Sequence, residues 1–377
     1  MTAFILGPKI YMGESNVPTV LSSTKKALVV TDKFMFDSGK VKYVTDYLDS
    51  INAEYKVFSD VFDEPDVDTV KAGLTVMASL DPDTIIAFGG GSPIDAAKGI
   101  KFFWEKRENP TEHRLIVIPT TSGTGSEVSS VTVIGDSEKG VKYPLMSDSL
   151  LAEAAILDAN LVASVPPRVT ADSGIDALGH AVEAYVSINH TDFSDAMAEK
   201  AIELICKYLF NAYTHPNDME ARQAVHNAAC MAGVAFNNAG LGLTHAMAHT
   251  LGGRFNLPHG RAIAILLPYV MNFNAGCSTS LTSAANRYAE LARILYLDVS
   301  GVRQSALSFI RSVRSLIFKL NIPTSIKDAG VSKEDFEAAL DIMAADALAD
   351  ATIATNPVPC TKEDIINLYR SAYNGRF

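Results

Sequence analysis

In the first half of the chain, short uninterrupted apolar runs alternate with segments whose apolar residues recur every three or four positions. Residues 27–31 (ALVVT) predict a buried strand ending at Asp32, and residues 55–58 a shorter one. Residues 84–88 (TIIAF), 115–119 (LIVIP) and 155–158 complete the strands. Residues 41–48 and 67–80 carry the helical period, as does IDAAKGIKFFW directly after Pro93. Strands that are apolar throughout, rather than alternating, are covered on both faces. The pattern therefore predicts a parallel sheet with crossover helices.

Beyond Pro166-Pro167 the strand period disappears. Residues 174–186, 194–213, 219–238, 281–296, 302–320, 333–349 and 362–373 all read as helices. The expected fold is an α/β amino-terminal domain with a Rossmann-like parallel sheet, residues 1–164, followed by an all-α domain, residues 165–377. No solenoid repeat, low-complexity tract or long linker interrupts the two.

Composition narrows the class. A chain of 377 residues can hold two cores, and 48% hydrophobic with 20% charged residues is ordinary for a globular enzyme. The net charge of −11, with no basic run longer than Lys25-Lys26, argues against a nucleic-acid partner. No run of about 20 apolar residues predicts a membrane span. The first residues lack the charged and apolar regions of a secretory signal, so a soluble, cytoplasmic protein is expected. Cys206, Cys230, Cys277 and Cys360 are scattered without CxxC spacing, which indicates neither a disulfide framework nor a thiolate metal site.

The candidate chemistry concentrates in GLTHAMAHTLGGRFNLPHG, residues 242–260. His245 and His249 are four apart and share one face of a helix. Gly252 and Gly253 loosen that helix, and Pro258 excludes His259 from its continuation, so His259 returns toward the same point from a separate segment. Upstream, in SGIDALGHAVE, Asp176 and His180 are again four apart. A carboxylate with several imidazoles is a set that Fe(II), Zn(II), Mn(II) or Co(II) accepts. Each feature also has a plainer reading. A single histidine on an apolar face is usually a satisfied core residue, and Ser173 with Asp176 has the S-x-x-D form of a helix capping box.

A second kind of site is written in glycine. The strand 84–88 runs into Gly89-Gly90-Gly91-Ser92-Pro93 and then a helix, which offers backbone N–H groups and the positive end of a helix dipole to a phosphate. It is not the G-x-G-x-x-G fingerprint, and the acidic residue suited to a ribose precedes the glycines instead of following them. The strand 115–119 opens into Thr120-Thr121-Ser122-Gly123-Thr124-Gly125-Ser126-Glu127, a loop of small and hydroxylic residues. In a doubly wound sheet, two such loops at the carboxyl ends of strands flank one crevice and favour a nucleotide.

With these segments laid out, the sequence resembles the iron-containing (group III) alcohol dehydrogenases from about Lys26 to the end. GLTHAMAHTLGGRFNLPHG matches that family's metal signature at every spacing. GGGSPIDAAK, PTTSGTGSEV, ILDANLVASVPP and GIDALGHAVEAYVS are similar to its other landmarks, in the family's order. EKGVKYPL, the TNPVP segment and the short link before PTTSGTGSE are similar to the 1-propanol dehydrogenases of propanediol utilisation.

The resemblance implies a metal ion, Fe(II) or alternatively Zn(II), bound by Asp176, His180, His245 and His259, with His249 beside it as the catalytic residue. It implies NAD, with Asp32 at the adenosine ribose, Gly90, Gly91 and Ser92 around the pyrophosphate, and Thr120, Thr121 and Thr124 along adenine and ribose. Lys142 matches a lysine reaching the nicotinamide ribose, and Asp95 and Ser126 join the cofactor set. It also implies a homodimer or larger homo-oligomer, located in the cytoplasm or inside a bacterial microcompartment in contact with its shell. Two departures stand out. Glu64-Pro65 replaces the Asn-Pro of many members, and the segment 105–114 is shorter than in many of them.

One carboxylate and three neutral imidazoles leave a divalent ion with a net charge of about +1 and an open position, where an alcohol loses its proton more easily. His249 would then relay the proton outward while the nicotinamide takes the hydride. The expected substrate is a short unbranched primary alcohol or its aldehyde, near propanol in size, facing a wall of Phe236, Leu241, Leu243 and Phe255. One alternative is a metal- and NAD-dependent lyase or cyclase of the dehydroquinate-synthase type. That reading needs a basic cluster for a phosphorylated substrate, and only Arg254 and Arg261 are near in sequence. Another is a polyol dehydrogenase acting on glycerol or propanediol. A noncatalytic structural protein would leave the spaced ligands unexplained.

Overall fold

The structure, a computed structural model, describes residues 3–62, 65–107, 112–136, 141–297 and 299–375, excepting the side chains of 141 and 142. It divides into two compact units, Ile5–Ser164 and Val165–Phe377, with Phe4 belonging to the latter.

The first unit contains, in order, β1 (Lys9–Met12), α1 (Val17–Leu21), β2 (Lys26–Asp32), α2 (Lys33–Asp37), α3 (Lys42–Ser50), β3 (Glu54–Val61) and α4 (Val67–Leu80). It continues with β4 (Thr84–Gly89), α5 (Gly91–Trp104), β5 (Arg114–Pro119), β6 (Val131–Asp136), β7 (Val141–Met146), β8 (Ala154–Leu157) and α6 (Ala159–Ala163). Among the described residues, six strands form one parallel sheet in the order β1-β8-β5-β4-β2-β3, and β6 and β7 form an antiparallel pair. Register explains the continuous apolar runs. Val29, Ile86, Ile116 and Ala154 are successive partners across β2, β4, β5 and β8, and they pack on one face with Val44 and Leu48 of α3. Leu28, Val30, Ile85, Ala87, Leu115 and Val117 face the other way, against α4 and α5. Both faces are covered, so both residue sets are apolar.

The strands that the sequence pattern missed are the exposed ones. β1 is largely solvent-facing, β6 alternates buried with open positions, and the described side chains of β7 are exposed or half-buried, so none carries an uninterrupted buried apolar run.

The second unit is built from α7 (Pro167–Val186), α8 (Asp192–Thr214), α9 (Met219–Ala239), α10 (Leu243–Phe255), α11 (His259–Ala275), α12 (Ser283–Ile294), α13 (Val302–Lys319), α14 (Lys333–Ala349) and α15 (Lys362–Asn374). Helix α7 is buried almost all round, with α8, α9 and α11 packed on it. It begins seven residues before the start expected at 174. Pro167 occupies the first turn, where the missing N–H costs nothing. Ser173 and Asp176 therefore lie inside the helix, and the capping-box reading is corrected. A second correction concerns Gly252 and Gly253, which are helical positions of α10. That helix stops instead at Asn256, whose left-handed backbone (φ 51) donates its N–H to Gly252 O and ends the run. Among the described residues, no helix is long and apolar enough to cross a membrane.

Candidate metal centre and nucleotide loops

Asp176 and His180 project one turn apart from the buried face of α7, His245 comes from the first turn of α10, and His259 is the first residue of α11. One ligand atom from each lies within 4.8 Å of all the others. The Asp176 Oδ1 atom is 3.3 Å from His259 Nε2 and 3.9 Å from both His180 Nε2 and His245 Nε2. The His180 and His245 rings stack at 4.6 Å.

Close helix approach makes this convergence possible. A β-carbon at Gly260 would overlap the carbonyl of Asp172 on α7, and one at Gly179 would meet Ile263 of α11 at 2.7 Å. Beside that contact, Arg261 forks onto the two carboxylate oxygens of Asp172 at 3.2 and 3.0 Å. The start of α11, and with it His259, is thereby fixed against the helix that carries Asp176.

The electrostatics of the cluster are those of a site built for a cation. Asp176 Oδ1 and His245 Nε2 are buried and have no hydrogen-bond partner. Buried polar atoms are almost always paired, and an unpaired one costs roughly 1–3 kcal/mol. Two such atoms facing each other are relieved by a positive ion coordinated between them, so the donor set fits a divalent metal. Burial alone would raise the Asp176 carboxyl. The imidazoles of His180, His259, His245 and His249 override it and hold the group below the usual carboxylate range. Burial, together with the neighbouring His180 and His259, pushes His245 well down, leaving it neutral and able to ligate.

His249 lies one turn beyond His245 and stands outside the ligand quartet. Its ring stacks 5.4 Å from that of His259, and its side chain is 42% exposed. Its Nδ1 donates to Asp350 Oδ2 at 2.8 Å. Burial raises the Asp350 carboxyl, but the bond and charge of His249 and the donors of Thr352 outweigh it and hold it well below the usual range. His249 thus presents Nε2 as its open nitrogen.

Two carboxylates at this centre, Glu183 and Asp350, were not foreseen. Glu183 accepts the N–H groups of Gly242 (2.8 Å) and Thr244 (2.5 Å) and lies 2.6 Å from His245 Nδ1. Burial raises its carboxyl, against the opposing donors Thr244, Gly242 and His245. A signal for it existed, since positions 176, 180 and 183 fall on one helical face. For Asp350, 101 residues from its partner, there was none. Of the expected wall, Phe236 is in place, its ring 4.6 Å from that of His180. Leu243 is not, because it is fully buried in the core of α10 and α11. Phe255 packs half-buried against that same core.

In the first unit, β4 leads through Gly90 into α5, whose first residue is Gly91. A β-carbon at Gly91 would lie 2.8 Å from Thr124 Cγ2, and one at Gly90 would lie 3.3 Å from Thr121 Cγ2. The two small-residue loops are therefore in contact at the carboxyl ends of β4 and β5, and a β-carbon at Gly91 would require Thr124 to shift. The Thr120 N–H donates to Gly89 O at 2.9 Å, Ser126 Oγ donates to Asp95 Oδ1 at 2.6 Å, and Lys98, fully buried, donates to the carbonyls of Ser129 and Val131. Ser92 sits in the first turn of α5. Asp32 ends β2 and caps α2 through Met35 N–H at 2.9 Å. The helix start, with its backbone amides and a cradle that a β-carbon would crowd, fits a pyrophosphate. Lys142 pairs with Gly135 in the β6–β7 ladder. Its side chain, like Glu64 and residues 108–111 of the shortened link, lies outside the described residues.

Comparison with known proteins gives the family. Residues 8–159 match the family model for iron-containing alcohol dehydrogenase, and residues 170–373 match that for the C-terminal part of the Fe-containing alcohol dehydrogenase family. The chain is 41% identical to the 1-propanol dehydrogenase PduQ of Citrobacter freundii, over 95% of this chain and 96% of that protein. It is 38% identical to a protein of Clostridium saccharobutylicum named NADPH-dependent butanol dehydrogenase, over 100% and 99% of the two chains. A crystal structure of a 1,3-propanediol oxidoreductase superposes with a TM-score of 0.91 at 33% identity, covering 99% and 100%. With its parallel sheet, its helical unit and its cluster of metal-ligating side chains, the chain belongs to the iron-containing alcohol dehydrogenase family and is an iron-type alcohol dehydrogenase.

Proposed function

We propose that the enzyme interconverts a short unbranched primary alcohol, near propanol in size, and its aldehyde, using NAD(H). The observation that carries this reading is the convergence of Asp176, His180, His245 and His259 around two buried atoms with no protein partner. These four residues would hold Fe(II), with Zn(II) as the alternative. A cation bound there supplies Lewis acidity, which acidifies an alcohol and polarises an aldehyde. His249, fixed through Nδ1 by Asp350, accepts or returns the alcohol proton at Nε2.

The amides of Gly90, Gly91 and Ser92 at the start of α5 would bind the pyrophosphate. Thr120, Thr121 and Thr124 would line the nucleotide, Asp95 and Ser126 would join the loops through their mutual bond, and Lys142 would serve the nicotinamide ribose. The cofactor preference rests on Asp32, whose carboxylate accepts from ribose hydroxyls and repels a 2′-phosphate. The substrate size rests on Phe236, an apolar plate beside His180 that leaves extra hydroxyls of a polyol without partners. Oxidation releases a proton, so neutral pH favours aldehyde reduction. The lyase alternative is left with Arg254 alone for its anion, because Arg261 is already committed to Asp172.

Three measurements test the reading. Elemental analysis of protein purified without added metal identifies the ion. Specificity constants for ethanol, propanol, butanol, propanediol and glycerol, with the matching aldehydes, identify the substrate. A clear preference for glycerol, or no net NADH turnover with any of them, overturns it. Asp32→Gly should raise the KM for NAD(H) roughly 10- to 100-fold, the value of one hydrogen bond to a charged group, and narrow the preference over NADP(H). Glycine is itself an acceptable cap for α2, so stability should change by only a few tenths of a kcal/mol. Equal efficiency with both cofactors in the unmutated enzyme would count against the site. A homodimer or larger assembly, in the cytoplasm or in a microcompartment, belongs to the same proposal and is tested by light scattering and cell fractionation.

A further inference from the structure

Resting on the reading of Asp176, His180, His245 and His259 as a metal centre, we infer that Glu183 is the positioning residue that locks His245 in its metal-binding tautomer and docks the helix that carries it. Glu183 shares a face of α7 with Asp176 and His180, and its carboxylate is buried. Its Oε1 accepts the Thr244 N–H, and its Oε2 accepts the Gly242 N–H while lying 2.6 Å from His245 Nδ1. Backbone amides can only donate, so they turn the carboxylate toward α10 as an acceptor on both oxygens. Against such an acceptor, Nδ1 fits as a donor. A neutral imidazole protonated at Nδ1 carries its lone pair on Nε2, the atom that is buried, has no partner and lies 3.9 Å from Asp176 Oδ1. The opposite tautomer would set two lone pairs against each other at Glu183 and point an N–H into the space a cation must occupy.

The surroundings reserve this arrangement. A β-carbon at Gly242 would come within 3.1 Å of Glu183 Oε1 and 2.9 Å of Asn356 Oδ1, so a larger residue there would push both acceptors away. Asn356 takes the Leu243 N–H at 3.1 Å, leaving Glu183 to the amides on either side and to the ring. Helix α10 could be capped without any contact to a histidine side chain, as Asn356 does. Glu183 does both, and so couples the position of His245 to its protonation.

The experiment compares the unmutated enzyme with Glu183→Gln, which keeps the shape but turns one acceptor into a donor, and with Asn356→Ala, which removes the Leu243 cap together with the bonds of Asn356 to Asn274 and Val358 O but leaves Glu183 and His245 in place. Affinity for Zn(II) and Co(II) is measured on metal-stripped protein by chelator competition. Thermal stability of the empty protein is recorded alongside. The expected result is 10- to 100-fold weaker metal binding in Glu183→Gln, the usual cost of losing the outer partner of a ligating histidine. Asn356→Ala should melt earlier and bind as tightly as the unmutated protein. Equal affinity in Glu183→Gln and the unmutated enzyme overturns the inference alone, whereas an unmutated enzyme that binds neither ion overturns the metal-centre reading and the inference with it. A readout needing no variant of Glu183 is the 15N signal of His245 in the empty protein, assigned by its loss in His245→Ala. A proton on Nδ1 supports the lock, and a proton on Nε2 overturns it.

Discussion

The two candidate sites are made of opposite materials. In the helical unit, four side chains from three helices converge, and two of the atoms that meet, Asp176 Oδ1 and His245 Nε2, have no hydrogen-bond partner. In the sheet unit, the site is made by leaving side chains out, so that Gly90 and Gly91 allow two loops to touch beside the backbone of a helix start. The first construction stores strain that a ligand relieves. The second stores little, because exposed amides are satisfied by water until a phosphate displaces it. Removing the unpaired carboxylate of the metal centre should therefore cost function with little loss of stability in the empty protein, whereas filling the glycine loop should cost both.

The largest effect should follow Asp176→Ala. Metal retention and turnover should be lost, by more than the roughly 10- to 100-fold that removal of an outer partner costs. The empty variant should change far less in melting temperature than in metal affinity, because the carboxylate oxygen removed makes no hydrogen bond, though the surrounding imidazoles favour its charge. Elemental analysis paired with calorimetry on stripped protein checks both parts. A variant that keeps its metal and loses stability would be behaving as a helix cap, and the contrast between the sites would fail. His245→Ala and His259→Ala should also release the metal. His245 is fully buried and His259 is half-exposed, so His245→Ala should additionally open a cavity and lower stability.

Next in size is Gly91→Ala. The added carbon would stand 2.8 Å from Thr124 Cγ2, so the loops must part. Loss of about one charge-assisted hydrogen bond to the pyrophosphate corresponds to a roughly 10- to 100-fold rise in the KM for NAD(H). Metal content should stay at the parental level, and the melting temperature should fall. A variant with unchanged KM would remove the glycine loop from the cofactor site.

Phe236→Ala sharpens the comparison from the metal side. Removing the ring beside His180 lengthens the space for an alkyl chain, and each methylene newly accommodated is worth roughly 1–3 kcal/mol. The ratio of kcat/KM for pentanol over propanol should rise about tenfold or more while the metal stays bound. An unchanged ratio would mean that the substrate does not pass this ring.

What the sequence disclosed differs between the regions for the same reason that the sites differ. A cluster of one carboxylate and several imidazoles was legible because helical spacing places Asp176 with His180 and His245 with His249, and because Pro258 breaks the chain before His259. The choice of four ligands came instead from the resemblance to the family. The breadth of the sheet was legible because β2, β4 and β5 are apolar on both faces. Hidden were the features that depend on a neighbour distant in sequence. Glu183 shares a helical face with Asp176 and His180, but its role shows only once α10 is docked on it, Asp350 meets His249 across 101 residues, and Leu243 reads as a pocket wall until α11 covers it. Gly260 is visible in the sequence, but its reason, the Asp172 carbonyl against it, is not. The exposed strand β1 gave no signal because an edge strand needs no apolar run.

The smallest effect calibrates the others. Asp66 is what Asp176 is not, a genuine cap, accepting Thr69 N–H and Oγ1–H at 2.8 Å each at the start of α4 in the sheet unit. Asp66→Ala should lower stability by about 1 kcal/mol, the usual value of such a cap, and leave metal affinity and the KM for NAD(H) unchanged. The pH dependence has a definite sign. The Thr69 backbone hydrogen bond, ahead of burial, which opposes it, holds the folded-state carboxyl below its ordinary value of 3.8. A depressed carboxyl contributes stability that is fully present above the unfolded value and is lost as pH falls through the folded one. The stability gap between parent and Asp66→Ala should therefore be flat from neutral pH to about pH 5 and close below about pH 4, near the unfolded value. Denaturant melts at pH 7, 5 and 3 measure it. A gap that persists unchanged at pH 3 would mean that the side chain acts through packing and not through its charge, and the cap standard against which Asp176 is judged would have to be drawn from another helix, such as α15 with Thr361.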